Sequence, residues 1–217
     1  MSLLPLTFGV GLSSDAKGGD LRVPSKKETE SVLRKDNFTC RFCGFRAAQY
    51  QRVISCGGVF VTSCIFCEQV VFLDRAGIMG SGVLVWLPEI TQVELQHLAR
   101  AIYVAEVSGD EALAQAASRA KEAILARKTE AKRRLGSDDP LLLCSVLQEH
   151  LNPAERAAAL EKLEGVRLFP LAKHMMRSRK RDIDAFPQIV DFWRSARGPF
   201  AELPIGMWRK LFDKIVA

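Results

Sequence analysis

Cys40-Arg41-Phe42-Cys43 and Cys64-Ile65-Phe66-Cys67, with twenty residues between them, decide how the rest of this chain is read. Each CxxC closes a tight turn on which two sulfurs converge. The segment between the pairs is long enough for a hairpin that brings them together. Two knuckles at this separation are the usual way a short chain presents four thiolates to one tetrahedral Zn²⁺. A four-thiolate site is coordinatively closed, so such a metal builds structure and performs no chemistry. The rival readings, a redox dithiol and buried free thiols, fit a lone CxxC better than a pair.

Outward from the knuckles, Phe38 to Phe72 is rich in β-type residues. Val53-Ile54 and Val59–Thr62 flank Gly57-Gly58, a hairpin signal. Upstream, GLSSDAKGGD reads as a mobile lead into a short helix near Ser25–Lys35. Downstream, Gly77, Gly80 and Gly82 make a glycine-rich loop before a short strand, Val83–Leu87. The period then changes. Thr91-Gln92-Val93-Glu94 is a capping box that opens a helix to about Val107, with Leu95, Leu98, Ile102 and Ala105 on one face. A long helix is expected from Glu111 to Leu135, ending at Gly136. Asp139-Pro140 and Asn152-Pro153 each pair an N-cap with a proline at the first helical position, for helices over 140–151 and 153–164. Two more are expected at Pro187–Arg197 and Gly206–Val216. The expected fold class is therefore α+β: a small zinc-held ββα unit within residues 1–90, followed by a mostly α-helical region over 91–217.

Composition bounds the function. Of the 217 residues 48% are hydrophobic, enough for a substantial core, yet no run of about 18 apolar residues offers a membrane span. Leu3 to Leu12 is apolar but lacks the basic start and small-residue exit of a signal peptide. Cysteines at metal spacing suit a reducing compartment, so a cytoplasmic location is expected. Lys+Arg outnumber Asp+Glu by 10 to 8 in residues 1–90 and by 21 to 17 in 91–217, so the net charge of +6 is spread over both halves. A nucleic-acid binder concentrates its excess on one face, which weighs against that class.

Among other candidates, Cys56 reads as a small apolar residue beside the Gly57-Gly58 turn and Cys144 as core. His97, His150 and His174 read as partly exposed helical histidines. The glycine loop lacks the Lys-Ser/Thr ending of a P-loop. Lys132-Arg133-Arg134 suits the last turn of a helix, and Arg177–Arg181 reads as a solvated run. Phe186, Phe192, Trp193, Phe200, Trp208 and Phe212 are expected mostly in the core, with a docking surface as the alternative.

Arg34-Lys35-Asp36-Asn37-Phe38-Thr39-Cys40-Arg41-Phe42-Cys43-Gly44 resembles the opening of an HNH-endonuclease zinc module, and Val61-Thr62-Ser63-Cys64-Ile65-Phe66-Cys67 its second knuckle. Where that nuclease shows histidines, this chain has Gln51-Arg52-Val53-Ile54-Ser55 and Glu68. The resemblance thus implies the nuclease shape without its chemistry, since a general base must reach the proton it takes. A narrower match joins the knuckles, Tyr50-Gln51, the glycine loop and Leu87-Pro88-Glu89-Ile90-Thr91-Gln92-Val93-Glu94-Leu95, and this order resembles the DotN/IcmJ family of type IVB (Dot/Icm) secretion systems. Ser137–Pro140 and Val166–Pro170 fit it more loosely. By motif order it covers roughly 60–65% of the chain.

The family resemblance implies a non-catalytic adaptor subunit of the coupling complex. Its partners would be the C-terminal tail of a DotL-like coupling ATPase and other coupling-complex subunits, at the cytoplasmic face of the inner membrane, which it would meet only through its partner. It also implies one structural Zn²⁺ on Cys40, Cys43, Cys64 and Cys67, with no catalytic and no cofactor-binding residue. The competing classes are an HNH-like nuclease with a relocated site and a nucleic-acid-binding zinc protein. Divalent-metal activity would mark the first, and a steep loss of affinity with salt the second.

Overall fold

In a computed structural model, residues 2–9, 23–149, 152–178 and 181–202 are described. The expected helix at Gly206–Val216, with Trp208 and Phe212, lies outside them, as does His150. Helix α1 (Lys26–Lys35) starts at the N-cap Ser25, whose hydroxyl and the Glu28 carboxylate close a capping box. Strands β1 (Gln51–Cys56) and β2 (Val59–Cys64) form the expected hairpin in the register Cys56↔Val59. Gly57 and Gly58, at φ +57° and +76°, supply the two left-handed residues that a tight two-residue turn needs. Helix α2 (Ile65–Val71) follows β2 without a gap and completes the ββα unit.

Helix α3 (Leu73–Ile78) and strand β3 (Gly82–Trp86) come next. The glycine loop is shorter than expected, because Gly77 lies inside α3. A Cβ there would come within 2.6 Å of the Leu141 backbone nitrogen, so glycine permits the close approach of α7 (Pro140–Glu149). Helix α4 (Gln92–Glu106) opens on the Thr91/Glu94 capping box.

The single long helix expected at Glu111–Leu135 is instead two, α5 (Glu111–Ala126) and α6 (Lys128–Leu135). At the junction the Arg127 carbonyl accepts both the Trp86 N–H from the edge of β3, at 3.3 Å, and the Ala131 N–H of α6, at 3.2 Å. Gly136, at φ +80°, ends α6 as expected. After α8 (Pro153–Lys162), the region expected to be mostly helical contains three strands: β4 (Val166–Pro170), β5 (Met175–Ser178) and β6 (Arg181–Asp184). β5 and β6 pair as a hairpin, so the described part of the basic run is strand. Helix α9 (Phe186–Arg194) starts one residue earlier and ends three residues earlier than the expected span. The α+β class stands, with more sheet than local pattern revealed.

β4 pairs antiparallel with β3, from Gly82↔Pro170 to Trp86↔Val166, joining segments some eighty residues apart. The outer edges of this two-stranded sheet are closed by other groups. Leu84 N–H donates to the Asp138 carbonyl at 2.9 Å. On the β4 side the Gln92 side chain acts as one more rung: its Nε2 donates to the Leu168 carbonyl at 2.9 Å and its Oε1 accepts the Leu168 N–H at 2.8 Å.

One buried cluster includes the four knuckle cysteines, Phe66, Leu95, Ile102, Tyr103, Phe186 and Trp193, and so unites the ββα unit with α4 and α9. Trp193 meets Phe45, Phe66 and Phe186 edge-on at centroid distances of 5.7, 5.6 and 6.2 Å. Of the aromatic positions expected in the core, Phe186 and Trp193 are buried, while Phe192 and Phe200 are half-buried.

Gln92→Ala leaves both main-chain groups of the fully buried Leu168 without their partners. We expect a loss of about 2–4 kcal/mol in urea unfolding, from two unsatisfied buried groups.

Candidate metal centre

The four sulfurs arrive from three local structures. Cys40 and Cys43 sit on a knuckle closed by Cys40 N–H to the Phe45 carbonyl at 2.9 Å and by Gly44 N–H to the Cys40 carbonyl at 2.9 Å. Gly44 takes φ +75° there, which a side chain would resist. Cys64 ends β2 and is the N-cap of α2, where its sulfur accepts the Cys67 N–H at 3.4 Å. Cys67 lies in the first turn of that helix, whose positive end favours anionic sulfur. Arg41 N–H donates to the Thr62 carbonyl at 2.8 Å and Asp36 accepts the Thr62 N–H at 2.9 Å, locking the first knuckle and α1 onto β2. The Gln51 amide nitrogen donates to the Phe38 and Phe45 carbonyls and braces the same turn.

All four sulfurs lie within 4.8 Å of one another and all four cysteines are buried, so they can hold a metal ion. Two sulfurs each about 2.3 Å from a tetrahedral zinc are about 3.8 Å apart. The Cys43 and Cys64 sulfurs are 3.7 Å apart, so the donor set fits that ion in both chemistry and spacing. Neither Cys56, half-buried at the end of β1, nor Cys144, buried in α7, belongs to the set. Burial pushes the Cys144 thiol up to about 11, as befits a core residue.

The feature that local sequence did not reveal is Arg100, on α4 and only 1% exposed. Its Nη2 donates to the Cys64 sulfur at 2.8 Å and to the Cys43 sulfur at 3.4 Å. Burial opposes the charge on Arg100, but the Cys64, Cys43 and Cys67 sulfurs outweigh it and hold the guanidinium above its ordinary range. Burial likewise pushes the Cys64 thiol up, yet hydrogen bonds with the Cys40, Cys43 and Cys67 sulfurs and the Arg100 charge hold it well below the usual range. Negative charge therefore gathers on the sulfur that faces the guanidinium. His97, one turn before Arg100, places Nε2 2.8 Å from the Cys43 carbonyl. It is exposed as expected, but it has a partner that the sequence did not supply.

His174 corrects its expectation. It is 5% exposed, lies outside the helices just before β5, and reaches the ββα hairpin. A cavity of about 210 Å³ beside α2 is lined by Arg52, Glu68, Gln69, Arg75, Met79 and His174, among others. Arg75 pairs with Glu68 at 3.0 Å. Arg52 Nη2 lies 3.2 Å from His174 Nε2. A guanidinium only donates, so Nε2 accepts and the ring proton sits on Nδ1. Burial first, and then the Arg52 charge, push His174 down to about 4, with Asp184 opposing.

The other candidates are structural. Lys132, Arg133 and Arg134 do occupy the last turn of α6; Lys132 pairs with Asp138, Arg133 and Arg134 pair with Glu130, and Arg134 lies 3.7 Å over the Trp86 ring. No helix among the described residues is long and apolar enough to cross a membrane.

Fold and site together define an α+β protein organised around a buried four-cysteine centre, with its catalytic-looking polar groups tied up in ion pairs. No protein-family profile matches the chain. It is 29% identical over 180 residues to the type 4 apparatus protein DotN of Legionella pneumophila subsp. pneumophila (strain Philadelphia 1), an alignment that covers 76% of this chain and 83% of that protein. That alignment supports the resemblance to the DotN/IcmJ family.

His174 supplies a pH dependence. Its folded value near 4 lies below the ordinary 6.5, so between those values the unfolded chain takes up a proton that the native state refuses. Its contribution to stability is complete above pH 6.5 and is lost as pH falls to 4. We expect His174→Gln to flatten the drop in urea midpoint between pH 7 and pH 4.5.

Proposed function

We propose that this protein is a non-catalytic adaptor subunit of a type IVB secretion coupling complex. Its partners are the C-terminal tail of a DotL-like coupling ATPase and other subunits of that complex. It acts in the cytoplasm, at the inner face of the inner membrane, which it meets only through the ATPase. One Zn²⁺ held by Cys40, Cys43, Cys64 and Cys67 stabilises the ββα unit, which we read as a degenerate HNH-nuclease module.

The observation that carries the adaptor reading is the long alignment to a type 4 apparatus protein. The chemistry of the centre supports it: four buried cysteines would leave a bound metal no position for water or substrate. An open groove lined by Leu6, Phe8, Leu160, Leu163 and Val166 accords with a surface for a partner segment.

The nuclease reading has one observation in its favour, the arrival of His174 at the hairpin. That histidine serves poorly as a general base. Its Nε2 already accepts from Arg52, and a group pushed down to about 4 is a weak acceptor of protons at neutral pH. The neighbouring carboxylate, Glu68, is paired with Arg75.

A tagged full-length chain purified from the native cell envelope tests the reading. We expect co-purification of the coupling ATPase and about one zinc per chain by elemental analysis. Capture of nucleic acid that salt removes, without the ATPase, would turn the assignment toward the nucleic-acid class. We also expect Cys40→Ser to lose both zinc and the partner through unfolding of the ββα unit, seen as lost near-ultraviolet circular dichroism. A folded, zinc-free variant that still binds the ATPase contradicts this.

A further inference from the structure

Four thiolates on a divalent zinc leave two net negative charges. Burying such a complex without compensation is strongly unfavourable. The same holds for a buried guanidinium. Among the described residues, the hydrogen-bond partners of the Arg100 side chain are the Cys64 and Cys43 sulfurs, the Gln96 carbonyl at 3.2 Å and His97 Nδ1 at 3.4 Å. None is a carboxylate. Among the described residues, the anions within its reach are sulfurs of the metal set, and Arg100 is the one cation hydrogen-bonded to those sulfurs. Its planar group also lies 4.1 Å from the Phe45 ring centroid and 5.4 Å from that of Phe66, so both rings contribute cation–π contact. Phe45 adjoins the first knuckle, Phe66 lies inside the second, and Arg100 belongs to α4.

We infer that Arg100 is the built-in counter-cation of the metal centre, halving the net charge of a four-thiolate zinc complex and tying α4 to the ββα unit, so that metal loading and the seating of α4 are one event. The inference rests on the zinc reading above. Arg100 is a positioning residue: it touches the sulfurs and would not touch the metal. His97 supports it from the same helix face, holding the carbonyl of Cys43 at 2.8 Å while Arg100 holds that residue's sulfur.

The test uses the full chain as wild type, Arg100→Met and Arg100→Lys. Each is loaded with zinc for competition against a chromophoric chelator, and with Co²⁺ for absorption spectroscopy. Loss of an outer-shell partner typically weakens metal binding by 10- to 100-fold. We expect Arg100→Met to release zinc within that range more readily than wild type. Arg100→Lys, which keeps a charge but loses the planar fork, should fall between them. A thiolate relieved of a cation is more electron-rich, so the sulfur-to-cobalt charge-transfer band of Arg100→Met should move to longer wavelength while the tetrahedral d–d envelope stays. A side chain that merely fills space would not move that band. If Arg100→Met does not fold, Arg100→Lys decides: weaker zinc retention with a shifted band supports the inference, and wild-type behaviour in both overturns it. Zinc-loaded wild type with an indifferent Arg100→Met overturns this inference alone. Wild type that holds no zinc overturns the metal reading and this inference with it.

Discussion

The contact between the Arg100 guanidinium and the Cys64 sulfur, at 2.8 Å, is the interaction on which the rest of the structure turns. Four sulfurs brought within 4.8 Å of one another in a buried site need their negative charge answered. Arg100 answers part of it from a different part of the chain. The ββα unit therefore does not complete its own electrostatics, and α4 cannot leave without stripping a cation from the cysteines and a partner from the guanidinium. The aromatic cluster around Phe66 and Trp193 packs α9 onto the same place. Hydrophobic burial and charge compensation point in one direction, which is the mark of a consistent fold.

A second constraint governs the sheets. Among the described residues each is two-stranded, so each strand has one edge whose main-chain groups no other strand pairs. In β3 and β4 these edges are capped by single groups: the Asp138 and Arg127 carbonyls on one side and the Gln92 amide on the other. Irregular pieces of helix and turn thus do the work of missing strands. The Arg127 carbonyl, at the junction of α5 and α6, belongs to this scheme, since it accepts from β3 as well as from Ala131 of α6.

Polar groups beside the hairpin illustrate how similar residues differ in meaning. Arg52, Glu68, Arg75 and His174 surround a cavity of about 210 Å³ and would be a tempting catalytic set by composition alone. Their pairings tell against that use: Arg52 and Arg75 share the one carboxylate, Glu68, and the histidine is neutral by burial and by its cationic neighbour. The adaptor role proposed above needs a stable frame, and a closed cysteine centre suits it.

The sequence by itself determined what depends on neighbours in the chain. The Cys40/Cys43 and Cys64/Cys67 knuckles, the Gly57-Gly58 turn, the capping box at Thr91, the N-cap at Asn152 and the stop at Gly136 all act within a few residues, and each stands where its residues indicated. Tertiary structure alone decided the rest. β4 forms because β3, far upstream, offers it an edge, and the same sheet reaches the α5–α6 junction through Trp86 N–H on the Arg127 carbonyl. Arg100 reads locally as one more basic residue on an amphipathic helix. Only the folded chain turns it inward onto two sulfurs 36 and 57 residues away in sequence. Spacing shows which sulfurs can converge. Which charge meets them is decided by packing at long range, because burying a charge is tolerated only where the fold supplies its opposite.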